Sequence, residues 1–372
     1  MAKKALLTIK GTYCKVNKGL LTENGVYNKV KKAFITIGGV YRPCWSGGEL
    51  AYFGTTAENL SGDMRHLAAT TVGNYALFGG GYSGNTNNTK DTVDVYDESL
   101  TKTTATNLSA ARYELAATTV GNYALFGGGE KGSTRYSNID AYDESLTRTR
   151  PTALNIARDV LAATTVGGYA LFGGGGIPST SVRNHVDAYD ESLTRTNPTA
   201  LSEARGRLAA TTVGGYALFG GGYGSNHSTK VDAYDESLTR TTPAALSVGR
   251  YSLAATTVGG YALFGGGRIN GDPYVSSAVD AYDESLTRTT ITPLSVDVSE
   301  LAATTVGEYA LFGGGVDFSY VTYANVDVYD ESLTKTIATE LSSTKQALAA
   351  TTVSKYALFG GAYGTVDVYT VA

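Results

Sequence analysis

From Leu67 onward, hydrophobic and polar positions follow one pattern written seven times. Each copy opens on LAATTV, at Leu67, Leu115, Leu161, Leu208, Leu253, Leu301 and Leu348. A tight turn such as VGNY leads into YALF, which a glycine run stops. VDVYD or VDAYD forms a third apolar run, closed in six copies by the polar ESLT. A Thr-rich stretch running to Leu-Ser, Thr103–Ser109 in the first copy, forms a fourth. Short β-branched and aromatic runs between turn residues read as strands, and no helical period survives in the unit. The runs have no polar face, as expected of strands packed on both sides. The aromatics of YALF, such as Tyr169 and Phe172, are expected in the core.

The copies are spaced by 48, 46, 47, 45, 48 and 47 residues, and a period of this length marks propeller blades of four strands each. The whole variation in length sits between the GGG run and the next Val/Ile-Asp pair, where 11, 9, 10, 8, 11 and 10 residues lie. The last copy stops after its third strand, at Val366–Ala372. Thr55–Ser61, upstream of the first copy, aligns without gaps on Thr103–Ser109. The sequence therefore predicts an all-β, seven-bladed propeller over 49–372, closed three strands plus one by an N-terminal strand that pairs otherwise open edges.

In such a blade the 1–2 and 3–4 turns share one face of the disc, and the 2–3 loop and the 4–1 crossing share the other. The first pair is constant here, as VGxY and DESLT. The second pair varies: Ala110–Glu114 becomes Glu203–Arg207 and then Val296–Glu300. Loops tolerate change in general, but only those of one face have changed. Nine tyrosines fall in the variable segments: Tyr82, Tyr113, Tyr136, Tyr223, Tyr251, Tyr274, Tyr320, Tyr323 and Tyr363. With Ser, Gly, Asn and scattered Arg and His around them, they match the chemistry of paratopes, in which rigid amphipathic rings are combined with adaptable polar groups. The candidate ligand-binding residues are Tyr82, Tyr113, Tyr136, Arg183, His185, Tyr223, Asn226, His227, Tyr251, Arg268, Tyr274, Tyr320 and Tyr323.

The unit resembles the Kelch repeat through Arg112, LAATTV, Tyr123-Ala124-Leu125-Phe126 with Gly127-Gly128, and Ile139-Asp140-Ala141-Tyr142-Asp143. The Trp usual in the Kelch fourth strand is Thr here, as at Thr103 and Thr149, and the sole Trp of the chain is Trp45. The resemblance implies the propeller fold and a binding role. The arginines at the Kelch position, Arg112, Arg158, Arg205 and Arg250, recur from blade to blade, which marks them as structural, although they lie near the variable face and could line a central pocket. The once-per-blade Asp of VDxYD is expected to fix a turn or cap a strand.

Residues 1–45 form a different module. They hold nine Lys or Arg and one acid, Glu23, a net of +8 in a chain whose total is −4. Gly11-Thr12-Tyr13, Gly25-Val26-Tyr27 and Gly39-Val40-Tyr41 repeat every 14 residues, which predicts a small β ribbon of short strands joined by tight turns. A basic patch invites nucleic acid, but lysines alternating with Val and Tyr read better as a solvated ribbon face. This segment looks like the short basic N-terminal repeats of tail-associated proteins from phages and prophages of Gram-positive hosts. That resemblance implies attachment to tail or baseplate proteins through residues 1–45, a bacterial cell-surface receptor (glycan or protein) for the propeller, and a place in the virion.

Composition removes other classes. No apolar run approaches 18 residues, so no membrane insertion is expected. Ala5–Lys10 is too short for a signal-peptide core, which points to synthesis in the cytoplasm without export. Two cysteines, Cys14 and Cys44, are no disulfide framework, and reduced thiols are expected. His66, His185 and His227 have no metal spacing, and the glycine runs lack the strand–turn–helix context of a phosphate loop. No catalytic residue, metal or cofactor is expected. The alternative to an adhesin is a cellular Kelch-type scaffold for one protein partner.

Overall fold

The computed structural model describes residues 6–9, 12–15, 33–37, 40–45, 48–56, 58–176 and 181–371, and it contains no helix among them. The chain divides into two compact units, Met1–Leu50 with Val371–Ala372, and Ala51–Thr370. In the first unit, Leu6–Ile9 pairs antiparallel with Thr12–Lys15, and Ala33–Ile37 with Val40–Trp45. Two of the three Gly-x-Tyr repeats thus contribute to hairpins. The middle one, Gly25-Val26-Tyr27, lies outside the described residues, as do the side chains of Cys14 and Cys44.

The second unit is a seven-bladed propeller of four-stranded sheets. Its first blade comprises Ala68–Val72, Tyr75–Gly79, Val93–Asp97 and Lys102–Thr104. The seventh comprises Ala349–Val353, Tyr356–Gly360 and Val366–Val371, completed by Leu50–Thr55. Closure three plus one therefore holds, with the fourth strand lying earlier along the chain than the sequence suggests. The fourth strand ends at Thr104, and the closing strand ends at Thr55. The Leu-Ser stretch beyond each is irregular because Leu108 and Leu60 turn inward to become buried.

Small residues explain the centre. The first strands alternate between buried and half-buried positions, and their Ala-Thr-Thr triplets, such as Ala69-Thr70-Thr71, line the axial channel. There, each second Thr donates its hydroxyl to the equivalent carbonyl of the preceding blade, and the seven bonds close a ring.

Between blades the core is apolar. Leu77, Val93 and Val95 of blade 1 meet Ala124, Phe126 and Tyr142 of blade 2, and each aliphatic or aromatic side chain fully buried contributes about 1.5–3 kcal/mol. A Cβ on Gly79 would lie 2.8 Å from the Phe126 ring, so this glycine is required by the close approach of the next blade. The third-strand tyrosines are fully buried, and their hydroxyls reach back one blade, as from Tyr142 to the Thr106 carbonyl at 2.7 Å. Phe172 is in the core as expected. Tyr169 is only half-buried, because the first position of that strand sits at the rim by the constant turn.

The two aspartates of VDxYD have separate tasks. The second caps the constant turn, as Asp143 does by accepting the Ser145 and Thr147 amides, both at 2.9 Å. The first is buried and stitches blades together: Asp140 accepts the Ser109 amide and pairs with the Arg112 guanidinium at 2.7 Å. Arg158, Arg205 and Arg250 do the same with Asp187, Asp232 and Asp280. All four arginines are completely buried. They are structural struts and do not line a pocket, because their partner carboxylates lie inside the blades.

Candidate functional site

The two variable stretches of a blade meet each other. Arg65 bridges Tyr82, Tyr113 bridges Glu130, Gly206 bridges Tyr223 and Ser299 bridges Val316, while Arg250-Tyr251 pairs with Arg268-Ile269 as a short ladder. The 4–1 crossing and the 2–3 loop are thus held together by main-chain bonds that do not depend on side-chain identity. The variable residues form one surface around the mouth of the channel.

At that mouth, the residue before each LAATTV closes a second ring. The amides of His66, Glu114, Val160, Arg207, Ser252, Glu300 and Ala347 each donate to the matching carbonyl of the preceding blade at 2.8–3.0 Å. All seven have left-handed backbones, with φ between 45° and 57°, a conformation that costs a non-glycine residue free energy and persists only where surroundings enforce it. Their side chains are of six kinds and take no part in the ring. With the leucines beneath them they line a cavity of about 200 Å³.

Charge is unevenly distributed over the mouth. Arg207 reaches Glu114 at 2.8 Å, His66 lies 3.6 Å from Glu114, and Glu300 lies 3.7 Å from Arg268. Burial holds His66 down at about 4, so the imidazole is neutral at pH 7. Burial alone would lower Arg207, but Glu114 and Glu300 outweigh it and raise it. Beside the mouth, Glu114, Glu130 and Asp159 bring carboxylate oxygens within 4.8 Å of one another. Arg207 and Arg135, the latter 3.2 Å from Asp159, answer two of the three charges. Burial, and then the neighbouring Asp159, pushes Glu130 up to about 7 against the opposing hydrogen bond from Tyr113, so near neutral pH this carboxyl is protonated about half of the time. These residues were legible as members of variable segments, but no spacing along the chain shows that neighbouring blades bring them together.

The tyrosine candidates fall into groups. His66, Tyr82 and Tyr113 form one, with ring centroids 5.6 and 5.2 Å apart. Tyr113 is only 7% exposed, so it supports this group from below and presents no free ring. Tyr223, His227 and Tyr251 form a second, half-buried group with centroids 5.1–5.2 Å apart. Beside it lies a cavity of about 410 Å³ that Asn226 and His227 help to line. In the third, Tyr274 stacks on Phe318 at 4.4 Å, and the Arg268 guanidinium stands 6.0 Å from the Tyr320 ring centroid. Phe318 was not among the sequence candidates. Tyr323 is half-buried and donates to Asp317 at 3.1 Å. Tyr136, Arg183 and His185 are half-buried and join none of these groups.

No protein-family model matches the chain, and no curated protein matches it. Among solved structures, the fold is similar to that of YjhT, with a TM-score of 0.60 over 76% of this chain and 99% of that one. At 12% identity the likeness is one of fold, and it agrees with the seven four-stranded blades described above.

Proposed function

We propose that this chain is a phage or prophage tail adhesin of Kelch-type repeat architecture, which recognises a receptor on the bacterial surface through the variable face of its propeller. The observation that carries this reading is the confinement of variation. In five of the seven blades the two variable stretches are bridged to each other on one surface, while the constant turns repeat nearly letter for letter. That surface carries grouped aromatics and uneven charge, the composition of a recognition surface. Residues 1–45, basic and built of short repeats, would attach to tail or baseplate proteins. The role is binding rather than turnover, and the receptor classes are a glycan or a protein.

The test is binding of the labelled full chain to a panel of candidate bacterial hosts, before and after enzymatic removal of surface polysaccharide. Binding to some hosts and not others supports the reading. Failure on every host, together with capture of one cytosolic protein, would favour the cellular scaffold instead.

A further inference from the structure

We propose that the primary contact on the variable face is the arc formed by the loops of blades 5 and 6, and that its ligand is a glycan bearing a free, unacetylated amine. This rests on the reading of the propeller as a receptor-binding module.

Exposure marks the arc. Tyr320 is 76% exposed, Phe318 53% and Tyr274 45%, and these three stand together. Tyr363 of blade 7, 58% exposed, joins no ring group among the described residues, and the other two aromatic groups turn their rings toward one another and are largely covered. The three side chains are nonetheless engaged by contacts between the two loops. The Tyr274–Phe318 stack ties the blade 5 loop to the blade 6 loop, and Arg268 of blade 5 stands against Tyr320 of blade 6. Tyr274 and Tyr320 are both held in the left-handed region, at φ 64° and 63°. Their amides are tied back to the Gly271 and Asp317 carbonyls at 2.7 and 3.3 Å. Rings fixed before a ligand arrives lose little freedom on binding. Rings that project from the surface also suit a partner offering a face to stack upon, as a sugar ring does.

Charge narrows the class. The one cation of the arc, Arg268, is matched by Glu300 at 3.7 Å. Asp272 and Asp297 are exposed and Asp317 is half-buried, and among the described residues none of the three is in an ion pair. Uncompensated carboxylates repel phosphate and uronate groups and attract an ammonium, which aromatic faces also attract. The guanidinium beside the Tyr320 ring is such a contact made within the chain.

The experiment takes surface polysaccharide purified from a host that the full chain binds, immobilises it, and compares untreated with acetic-anhydride-treated material. Acetylation is expected to weaken binding at least tenfold. Chitosan oligosaccharide should compete, and its N-acetylated counterpart of equal length should not. Phe318→Ala with Tyr320→Ala should lose at least tenfold on untreated polysaccharide at an unchanged melting temperature, and Asp297→Asn with Asp317→Asn should abolish the preference for the free amine. Unchanged binding after acetylation, or wild-type binding by the aromatic variant, overturns the inference and leaves the receptor-binding reading standing. Absence of binding to every host defeats the reading and the inference with it.

Discussion

Replacing Arg205 by Met should be rescued in part by a second, distant-looking change, Arg240→Lys. Arg205 is completely buried, with its guanidinium 2.8 Å from Asp232 and a further bond to the Phe219 carbonyl at 3.1 Å. Arg240, on the outer strand, stands 3.8 Å from the same carboxylate. Removing one partner of a buried ion pair costs about 3–5 kcal/mol. The lower end applies here, since the Arg205 Nε has no hydrogen-bond partner to lose. Two other blades show what can stand in for the missing arginine. In blade 1 the inner position is Met64, and Lys102 lies 3.1 Å from Asp94. In blade 6 it is Val298, and Lys335 lies 3.0 Å from Asp327. An inner apolar residue thus goes with an outer Lys that closes on the carboxylate, and an inner Arg goes with an outer Arg. Arg205→Met alone should cost about 3 kcal/mol. Arg240→Lys alone should cost under about 1 kcal/mol, as a partly exposed contact. The double variant should be more stable than the sum predicts by about 1 kcal/mol or more, a coupling of the size seen for groups in contact. Denaturant unfolding of the four chains measures this. Strict additivity would refute the idea that the two cations share one task.

Three further outcomes are expected. Glu130 sits at about 7 in the folded chain against an ordinary 4.5, so its contribution to stability is complete below about pH 4.5 and is lost as pH rises through 7. The melting temperature of Glu130→Gln should therefore gain on the wild type between pH 5 and pH 8, and a pH-independent difference would refute the raised titration of Glu130. Deleting residues 49–61 removes the seventh blade's fourth strand, the Tyr52–Asp367 bond at 2.8 Å and buried Leu60. Calorimetric melting should fall steeply and broaden, and an unchanged transition would show that the ring closes without that strand. Tyr320→Ala should weaken receptor binding by about 2 kcal/mol at constant melting temperature, whereas Phe172→Ala should cost about 3–5 kcal/mol of stability. Loss of binding from the constant turn Glu236-Ser237-Leu238, with none from Tyr320, would place the contact on the opposite face.

The fold was legible because its local signals and its period agree: β-branched runs, glycine stops and a spacing near 47 residues all specify one blade. The fourth strand was misjudged in length because Thr-rich sequence continues past the point where Leu108 turns inward. The recurrence of the arginines marks them as structural but does not show their complete burial, which depends on Asp140 and its equivalents, about 30 residues further on. Within the site, the sequence singled out variable residues but not their neighbours in space. Tyr274 and Tyr320 were found, whereas Phe318, which orders Tyr274, was not. Glu114, Glu130 and Asp159 come from three separate variable segments, and only the bridge between Tyr113 and Glu130 and the proximity of successive blades bring them together.

That separation of frame from surface has a physical basis in the ring at the channel mouth. Seven consecutive blades are locked by a main-chain amide and a main-chain carbonyl at one position, and His, Glu, Val, Arg, Ser, Glu and Ala all occupy it. None of these is glycine, although the backbone there is left-handed. Each non-glycine residue in that region costs about 1–3 kcal/mol, so glycine would be favoured if stability alone decided the residue. Left-handed non-glycine residues also recur in the constant turns, as at Leu100 and Leu146, so the frame holds this conformation whatever side chain it carries. The threonine ring deeper in the channel makes the opposite choice. Its bonds run through side-chain hydroxyls, and that residue is Thr in all seven blades. Where the hydrogen bond needs the side chain the residue is fixed, and where it needs only the backbone the residue is free to vary.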